Sequence, residues 1–149
     1  MSHREISFFC CVKHPGSRVQ DPSMHEYSSI VSLWFLLFRP KSIYLHVTPS
    51  SKKTKLFIES IKILIVVLKA TKYAWITDFI EIRGNDVVIK GYDDWFISAK
   101  SGINPENLAG FRNNSDYMVW LDDHAKLSKP TTDVLQGTMM KFTDRMVLA

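Results

Sequence analysis

The sequence predicts one α+β domain, in which a small, mainly antiparallel sheet packs against a central hydrophobic helix, with further helices towards both ends. Three observations indicate this class: one long segment has helical periodicity, a hairpin turn joins two apolar segments, and other short apolar segments are bounded by turn residues. A chain of 149 residues, 46% of them hydrophobic, can bury a core without disulfides or metal. We expect a strand or coil arm over residues 1–22 and a single α+β domain over residues 23–149.

The central helix is predicted over residues 51–72, because charged residues recur there at helical spacing. They form one narrow stripe, which consists of Lys52, Lys55, Glu59, Lys62 and Lys69. The residues between them are almost all apolar, so we expect this helix in the middle of the fold. The turn Thr48–Ser51 precedes it and supplies an N-cap. The unbroken apolar run Ile63–Leu68 leaves a strand buried on both faces as the alternative.

The segment before this helix is predicted to contain a helix and a strand. Ser23 and Glu26 have the spacing of a capping box, so a helix follows over Met24–Phe38 and ends before Pro40. The aromatic content of its second half leaves a buried strand there as an alternative. Apolar and polar residues then alternate over Ile43–Val47, which predicts a strand.

The second half of the chain is predicted to begin with a β-hairpin. Trp75–Arg83 and Asp86–Lys90 have apolar faces and are joined by the turn Gly84–Asp86. The remaining elements are a segment at Tyr92–Lys100 that fits either a strand or a short helix, a short helix at Pro105–Phe111, a buried strand at Tyr117–Leu121, and a final helix from Thr131 or Thr132 to about Leu148.

Positive charge is concentrated in the first half of the chain. Residues 1–72 contain eleven Lys and Arg against four Asp and Glu, and residues 73–149 contain eight against eleven, which together give the formal +4. Cations near aromatic rings are typical of RNA or single-stranded DNA binding, and a helix N-terminus adds attraction for anions. The predicted anion-binding residues are Arg39, Lys41, Tyr44, His46, Lys52, Lys53 and Lys55. In the alternative, the lysines form only a solvated stripe and Tyr44 lies in the core.

Two acidic pairs are the other candidate site. They are Asp93 with Asp94 and Asp122 with Asp123. If the pairs converge, they can hold Mg²⁺ for phosphoryl chemistry with His124 as a general base. Otherwise they form an acidic patch that faces a basic protein partner, or they are ordinary turn residues.

The cysteines and the apolar segments define the expected compartment. Cys10 and Cys11 are adjacent, so a disulfide framework is absent and a reducing, intracellular location is expected rather than secretion. They are weak zinc candidates with His14 and with His3 or His25, but the spacing is wrong for a zinc site, so we predict no metal site and no cofactor. S-acylation of the two cysteines is a further alternative. The sequence predicts neither a signal peptide nor a membrane-spanning segment.

Common enzyme motifs are missing from the sequence: we find no Gly-x-Ser-x-Gly, no Walker loop, no Gly-x-Gly-x-x-Gly and no His-Glu-x-x-His. The sequence therefore predicts a non-enzymatic binding or assembly module of a larger complex, whose basic half contacts nucleic acid, RNA in particular, or another acidic partner. One alternative is a small protein antagonist of the toxin-immunity or viral host-factor-binding type, which acts through a protein partner. The other is a peripheral membrane or matrix-type protein.

Overall fold

The structure is a computed structural model, and it describes residues 24–110, 116–138 and 145–149. The helices and strands are α1 Met24–Phe38, β1 Ile43–Thr48, α2 Ser51–Lys69, β2 Ile80–Arg83, β3 Asp86–Ile89, β4 Phe96–Ser101, β5 Tyr117–Leu121, α3 Lys129–Thr138 and β6 Arg145–Leu148. Short 3-10 helices lie at Ala74–Phe79, Pro105–Leu108 and His124–Lys126. The predicted arm over residues 1–22, with Cys10, Cys11, His14 and His3, lies outside the described residues, and so does the side chain of His25.

The described strands form one sheet in the order β2-β3-β4-β1-β5-β6. Strands β4, β1, β5 and β6 are mutually parallel, whereas β3 pairs in the antiparallel sense with both β2 and β4. The fold is therefore α/β, and the predicted mainly antiparallel sheet against a central helix is wrong. The error has a physical cause: parallel pairing joins segments far apart in the chain, such as Ile43 with Phe96 and with Tyr117. A hairpin is marked in the sequence by its turn residues, whereas no short turn joins two parallel strands, so no local sequence signal indicates that they pair.

Strand β1 lies at the centre of the core, because all six of its residues are buried. Tyr44 and His46 point towards the face that α1 and α2 cover, where Phe57 and Ile61 of α2 pack. Residues of the alternate set, such as Leu45, pack on the opposite face. That face is covered by α3 and by the 3-10 helix at 105–108, whose core residues are Leu135 and Leu108. Helices on both faces are what a parallel sheet requires.

Helix α2 confirms the predicted helix but ends at Lys69, three residues earlier than expected. Its fully buried residues, Thr54, Phe57, Ile58 and Ile61, lie in the first three turns, and Leu64 and Ile65 beyond them are partly buried against the core. Its second half leaves large apolar side chains exposed, namely Ile63, Val66 and Val67. It is thus one of two helices on one face rather than the centre of the molecule. In the part of the chain that the structure describes, none of the helices combines the length and apolar character needed to cross a membrane.

Two further predictions about elements are wrong. The predicted strand at 75–83 begins with the 3-10 helix Ala74–Phe79, and only Ile80–Arg83 pairs as a strand. The predicted final helix ends at Thr138, and Arg145–Leu148 forms β6 beside β5. The segment at 92–100, left open between strand and helix, contains the start of β4.

Candidate functional site

The candidate site lies at the edge of the sheet where the four parallel strands end. There β1 and β5 are neighbours, since Val47 pairs with Leu121. The chain leaves β1 into α2 on one face of the sheet, whereas after β5 it enters α3 on the other face. In open α/β sheets, ligands bind outside the carboxyl ends of the strands at such a divergence. The loops after β1 and β5 are therefore the first place to look for function.

The loop after β1 is short and leads directly into helix α2. Ser50 is the N-cap, with φ of −149° and ψ of 151°, and its hydroxyl accepts a hydrogen bond from the amide of Lys53 at 3.4 Å. The first amides of a helix have no carbonyl partner within the helix, and together with the helix dipole they attract anions. The start of α2 therefore presents hydrogen-bond donors and partial positive charge at this edge.

Two buried threonines join the end of β1 to the start of α2. Thr48 ends β1 and is fully buried, and Thr54 lies in the first turn of α2 with 2% exposure. Their Oγ1 atoms are 2.8 Å apart. The Thr48 hydroxyl also donates to the carbonyl oxygen of Ser50 at 2.8 Å. These bonds fix the position of the Thr54 hydroxyl relative to the strand.

Lys53 is held at the site by an acidic residue of the neighbouring loop. Its ammonium group forms an ion pair with the carboxylate of Asp123, and Lys126 approaches the same carboxylate oxygen at 3.4 Å. Both Lys53 and Asp123 are about 30% exposed in their side chains, so a ligand can reach them. Asp123 has a left-handed backbone, with φ of 50° and ψ of 47°, which turns the chain sharply after β5.

Asp122 is buried immediately after β5, with 3% exposure. Its amide donates to the carbonyl of Val47 at 2.9 Å, which continues the parallel register and brings Asp122 beside Thr48. The pKa of Tyr44 is raised, first by burial and second by the Asp122 carboxylate. The Asp122 carboxylate therefore acts on the interior on the α2 side of the sheet. Asp122 and Thr48 thus lie side by side where neighbouring strands end, and Thr54 is hydrogen-bonded to Thr48 at the same switch point.

The predicted anion-binding residues are divided between two edges of the sheet. Arg39 and Lys41 precede β1, whereas Lys52, Lys53 and Lys55 follow it. A strand of six residues spans roughly 20 Å, so the two groups do not form one surface. Arg39 instead forms an ion pair with Asp116 at 3.2 Å.

Tyr44 and His46 cannot stack on bases in this structure, because both side chains are fully buried. The ring of His46 lies parallel to that of Phe57, with the centroids 3.7 Å apart, and the Tyr44 hydroxyl donates to the Ser28 carbonyl at 3.5 Å. Their assignment to a nucleic-acid surface is corrected: they are core residues. Binding of nucleic acid by the exposed lysines stays a prediction.

The two acidic pairs also lie at opposite edges. Asp93 and Asp94 precede β4, and Asp122 and Asp123 follow β5, which runs parallel to β1 and β4. They therefore do not converge, so the alternative of a joint magnesium site does not apply, and they do not form the predicted single acidic patch. In residues 24–110, 116–138 and 145–149, no cluster of three or more His, Cys, Asp or Glu side chains is arranged to hold a metal.

Sequence reasoning included Lys53 among the anion-binding residues, but it missed Thr54 and the Lys-Thr pair that these two residues form. In the phosphate-binding motif G-x-x-x-x-G-K-[ST], the lysine reaches the β- and γ-phosphates and the hydroxyl binds Mg²⁺. The segment Val47–Thr54 has Lys-Thr at the last two positions, but Val47 and Lys52 stand where the motif has glycine. A search for glycines therefore fails. A search for a buried strand that leads through a short turn to Lys-Thr, together with a second strand that is followed by Asp-Asp, would have identified the candidate site.

The comparison with solved structures finds a similar fold in a phage protein. The ATPase domain of the Thermus phage P74-26 large terminase superposes with a TM-score of 0.58 at 16% identity, over 87% of this chain and 56% of that one. An arginine-to-alanine mutant of the same domain gives a TM-score of 0.60 at 17% identity, over 87% and 55%. No protein-family model and no curated protein matches the chain.

This similarity is one of fold, and the chain spans little more than half the length of the phage domain. It nevertheless overturns the expectation that the chain is not an enzyme. That expectation depended on the absence of enzyme motifs, and the fold is one that an ATPase domain uses. A mostly parallel sheet with a Lys-Thr pair at a helix start and an Asp-Asp pair beside it defines the candidate site of this chain.

Proposed function

We propose that the switch point between β1 and β5 binds the phosphate groups of a magnesium-bound nucleoside triphosphate, and that this chain belongs to a nucleoside triphosphatase domain. One observation carries the proposal: Lys53 and Thr54 at the start of α2 lie beside Asp122 and Asp123 at the end of β5. The likeness in fold to an ATPase domain supports the same reading.

Lys53 supplies the cation for the phosphates in this proposal. Its ammonium group has three donors, one of which is bonded to Asp123. A terminal phosphate placed at the start of α2 meets this ammonium group and the first amides of the helix together. Lys52 and Lys55 are exposed on the same turn and add positive charge, which favours a polyphosphate over a neutral ligand.

The oxygen atoms of Thr54 and Asp122 fit a magnesium ion that is shared with phosphates. Mg²⁺ prefers oxygen ligands, is commonly held by one or two carboxylates together with substrate phosphates, and keeps several waters. The described residues offer one buried carboxylate and one hydroxyl here, which matches this mode and not an all-protein cage. When bound, the ion neutralises phosphate charge and polarises the phosphoryl oxygen.

Asp123 is the residue that we assign to orienting the attacking water and to accepting its proton as a general base. Its carboxylate is occupied by Lys53 and Lys126 in this structure. When Lys53 turns to a phosphate, one of these contacts is given up, and the carboxylate becomes an acceptor beside the terminal phosphate. Lys126 then keeps Asp123 at the site.

The test of binding is a titration of the full chain with a fluorescent ATP analogue in the presence of MgCl₂. We expect Lys53→Ala to weaken binding by at least about tenfold, since it removes a charge-assisted contact of about 1.5–3 kcal/mol. Lys69→Ala is the matched control, because it removes an exposed lysine from the opposite end of the same helix. Equal affinities of the wild type and Lys53→Ala, or failure of the wild type to bind, would contradict the proposal.

The test of hydrolysis is the release of inorganic phosphate from ATP. Asp123→Asn is expected to reduce the turnover rate by about 10²-fold or more, because general-base catalysis typically contributes that much. The same variant should bind the ATP analogue at least as tightly as the wild type, since Lys53 loses its anionic competitor. Unchanged turnover would remove Asp123 from the mechanism.

A further inference from the structure

We propose that Thr48 is a positioning residue, whose hydroxyl holds the Thr54 hydroxyl in the orientation that a magnesium–nucleotide complex requires. The inference rests on the proposed function of the site. It concerns a residue of β1 that acts through its hydrogen bond to Thr54, since Thr48 is fully buried and its Oγ1 atom lies 2.8 Å from that of Thr54.

The hydrogen bonds around the Ser50 carbonyl favour one arrangement of the two hydroxyl protons. Three donors approach this oxygen: the Thr48 hydroxyl at 2.8 Å, the Thr54 amide at 3.1 Å and the Thr54 hydroxyl at 3.2 Å. A carbonyl oxygen has two lone pairs, so the two closest donors satisfy it. The Thr54 proton is then directed to the Thr48 Oγ1 atom, 2.8 Å away.

This arrangement prepares Thr54 to be a metal ligand. A hydroxyl oxygen that gives a lone pair to a cation must send its proton to another acceptor. Thr48 is that acceptor, and its own proton is committed to Ser50, so it cannot compete by donating to Thr54. Groups that orient a metal ligand in this way typically change metal affinity by about 10–100-fold when they are removed.

Loss of the Thr48 hydroxyl redirects the proton. Without it, the Ser50 carbonyl is left with the Thr54 amide and the Thr54 hydroxyl as its donors. The Thr54 hydroxyl then donates its proton to the Ser50 carbonyl, and its lone pairs point in a different direction. Valine is β-branched like threonine, so Thr48→Val removes this hydrogen-bonding role while it nearly keeps the side-chain shape.

The experiment measures the magnesium dependence of nucleotide binding by the full chain. The fluorescent ATP analogue is kept at fixed concentration and MgCl₂ is titrated, with a parallel titration of the analogue in EDTA. We expect Thr48→Val to raise the MgCl₂ concentration for half-maximal binding by about tenfold or more, while affinity in EDTA changes less than about twofold. Thr48→Ser, which keeps the hydroxyl, should restore the wild-type value.

The controls separate this inference from the proposed function. If the wild type shows no magnesium-dependent binding, both are overturned. If the wild type shows it and Thr48→Val has the same magnesium dependence, only the role of Thr48 is overturned, and the same holds if Thr48→Ser behaves like Thr48→Val. Thr132→Val removes a hydroxyl that bonds only within α3 and should leave the titration unchanged. Thermal unfolding checks that each variant is folded, and Thr48→Ala replaces Thr48→Val if that variant is not.

Discussion

At the scale of single residues, Tyr44 links the buried carboxylate of Asp122 to the stability of the fold at alkaline pH. Its phenol is fully buried, and its pKa is raised, first by this burial and then by the negative charge of Asp122. The folded protein therefore keeps the phenol proton in a pH range where the unfolded chain has already lost it. The stability that comes from this difference is complete below about pH 10, the ordinary value of tyrosine, and is lost as the pH rises towards the folded-state pKa.

The variant that tests this is Tyr44→Phe, which removes the titrating group and a single hydrogen bond at 3.5 Å. We expect the free energy of unfolding of the wild type to fall more steeply above pH 10 than that of Tyr44→Phe, as measured by urea titration across pH 8–11. Tyr73→Phe is the matched control, since Tyr73 is exposed. Parallel curves for the wild type and Tyr44→Phe would show that Tyr44 is not responsible for alkaline destabilisation.

Single residues of the candidate site could be predicted from the sequence, but their contacts with one another could not. Lys53 could be assigned to an anion-binding helix start, because Ser50 and the lysines are adjacent in sequence. Its ion pair with Asp123 joins residues 70 positions apart in the sequence, and no local sequence pattern indicates that the two residues are in contact. The roles of Tyr44 and His46 were misjudged for a related reason: alternation along β1 predicts two faces, but it does not say that both are covered by helices.

At the scale of elements, α2 was the most predictable part of the chain. Its start at Ser51 follows from the cap and the turn before it, and both depend on adjacent residues. How much of it is covered could not be predicted, because the exposure of Ile63, Val66 and Val67 depends on where the sheet and α1 end. The Lys and Glu stripe marks one exposed side of α2 without excluding a second.

The N-cap of α2 can be tested by Ser50→Ala. This change leaves the Lys53 amide without its side-chain acceptor, whose oxygen lies 3.4 Å away. We expect a loss of about 0.5–1 kcal/mol in the free energy of unfolding, at the lower end of N-cap effects because the bond is long. Chemical denaturation measures it, and Ser51→Ala, at an exposed first helical position, is the control. Equal losses in both variants would show that the cap contributes nothing specific.

At the scale of the whole molecule, the sheet brings together segments that are distant in sequence. Strand β1 pairs with β4 and with β5, and its carboxyl end becomes the site because the next helices leave to opposite faces. The buried run Tyr117–Leu121 was recognised as a strand, but its partner and direction were not. The final strand was mistaken for helix because its pairing with β5 outweighs the helical spacing of its apolar residues.

Gly102 is the position where this packing is tightest around the site, and it supports the last prediction. It follows β4, its amide donates to the Thr48 carbonyl at 2.8 Å, and its carbonyl accepts the Thr131 hydroxyl of α3 at 2.9 Å. A Cβ atom built on Gly102 lies 2.7 Å from Leu127 and 3.3 Å from Val47. The end of β1, the end of β4 and the start of α3 therefore meet at a residue without a side chain.

We expect Gly102→Ala to destabilise the fold by about 1–3 kcal/mol, because the added methyl group forces its neighbours apart. Gly137→Ala is the matched variant: it lies in α3 with open space around its Cβ position, so it should stabilise the fold by about 0.5 kcal/mol through helix propensity. Urea unfolding of the two variants measures both signs. If Gly102→Ala is as stable as the wild type, the close approach of β1, β4 and α3 is wrong. In that case the contacts that align the end of β1 with its neighbours at the site must also differ from those described.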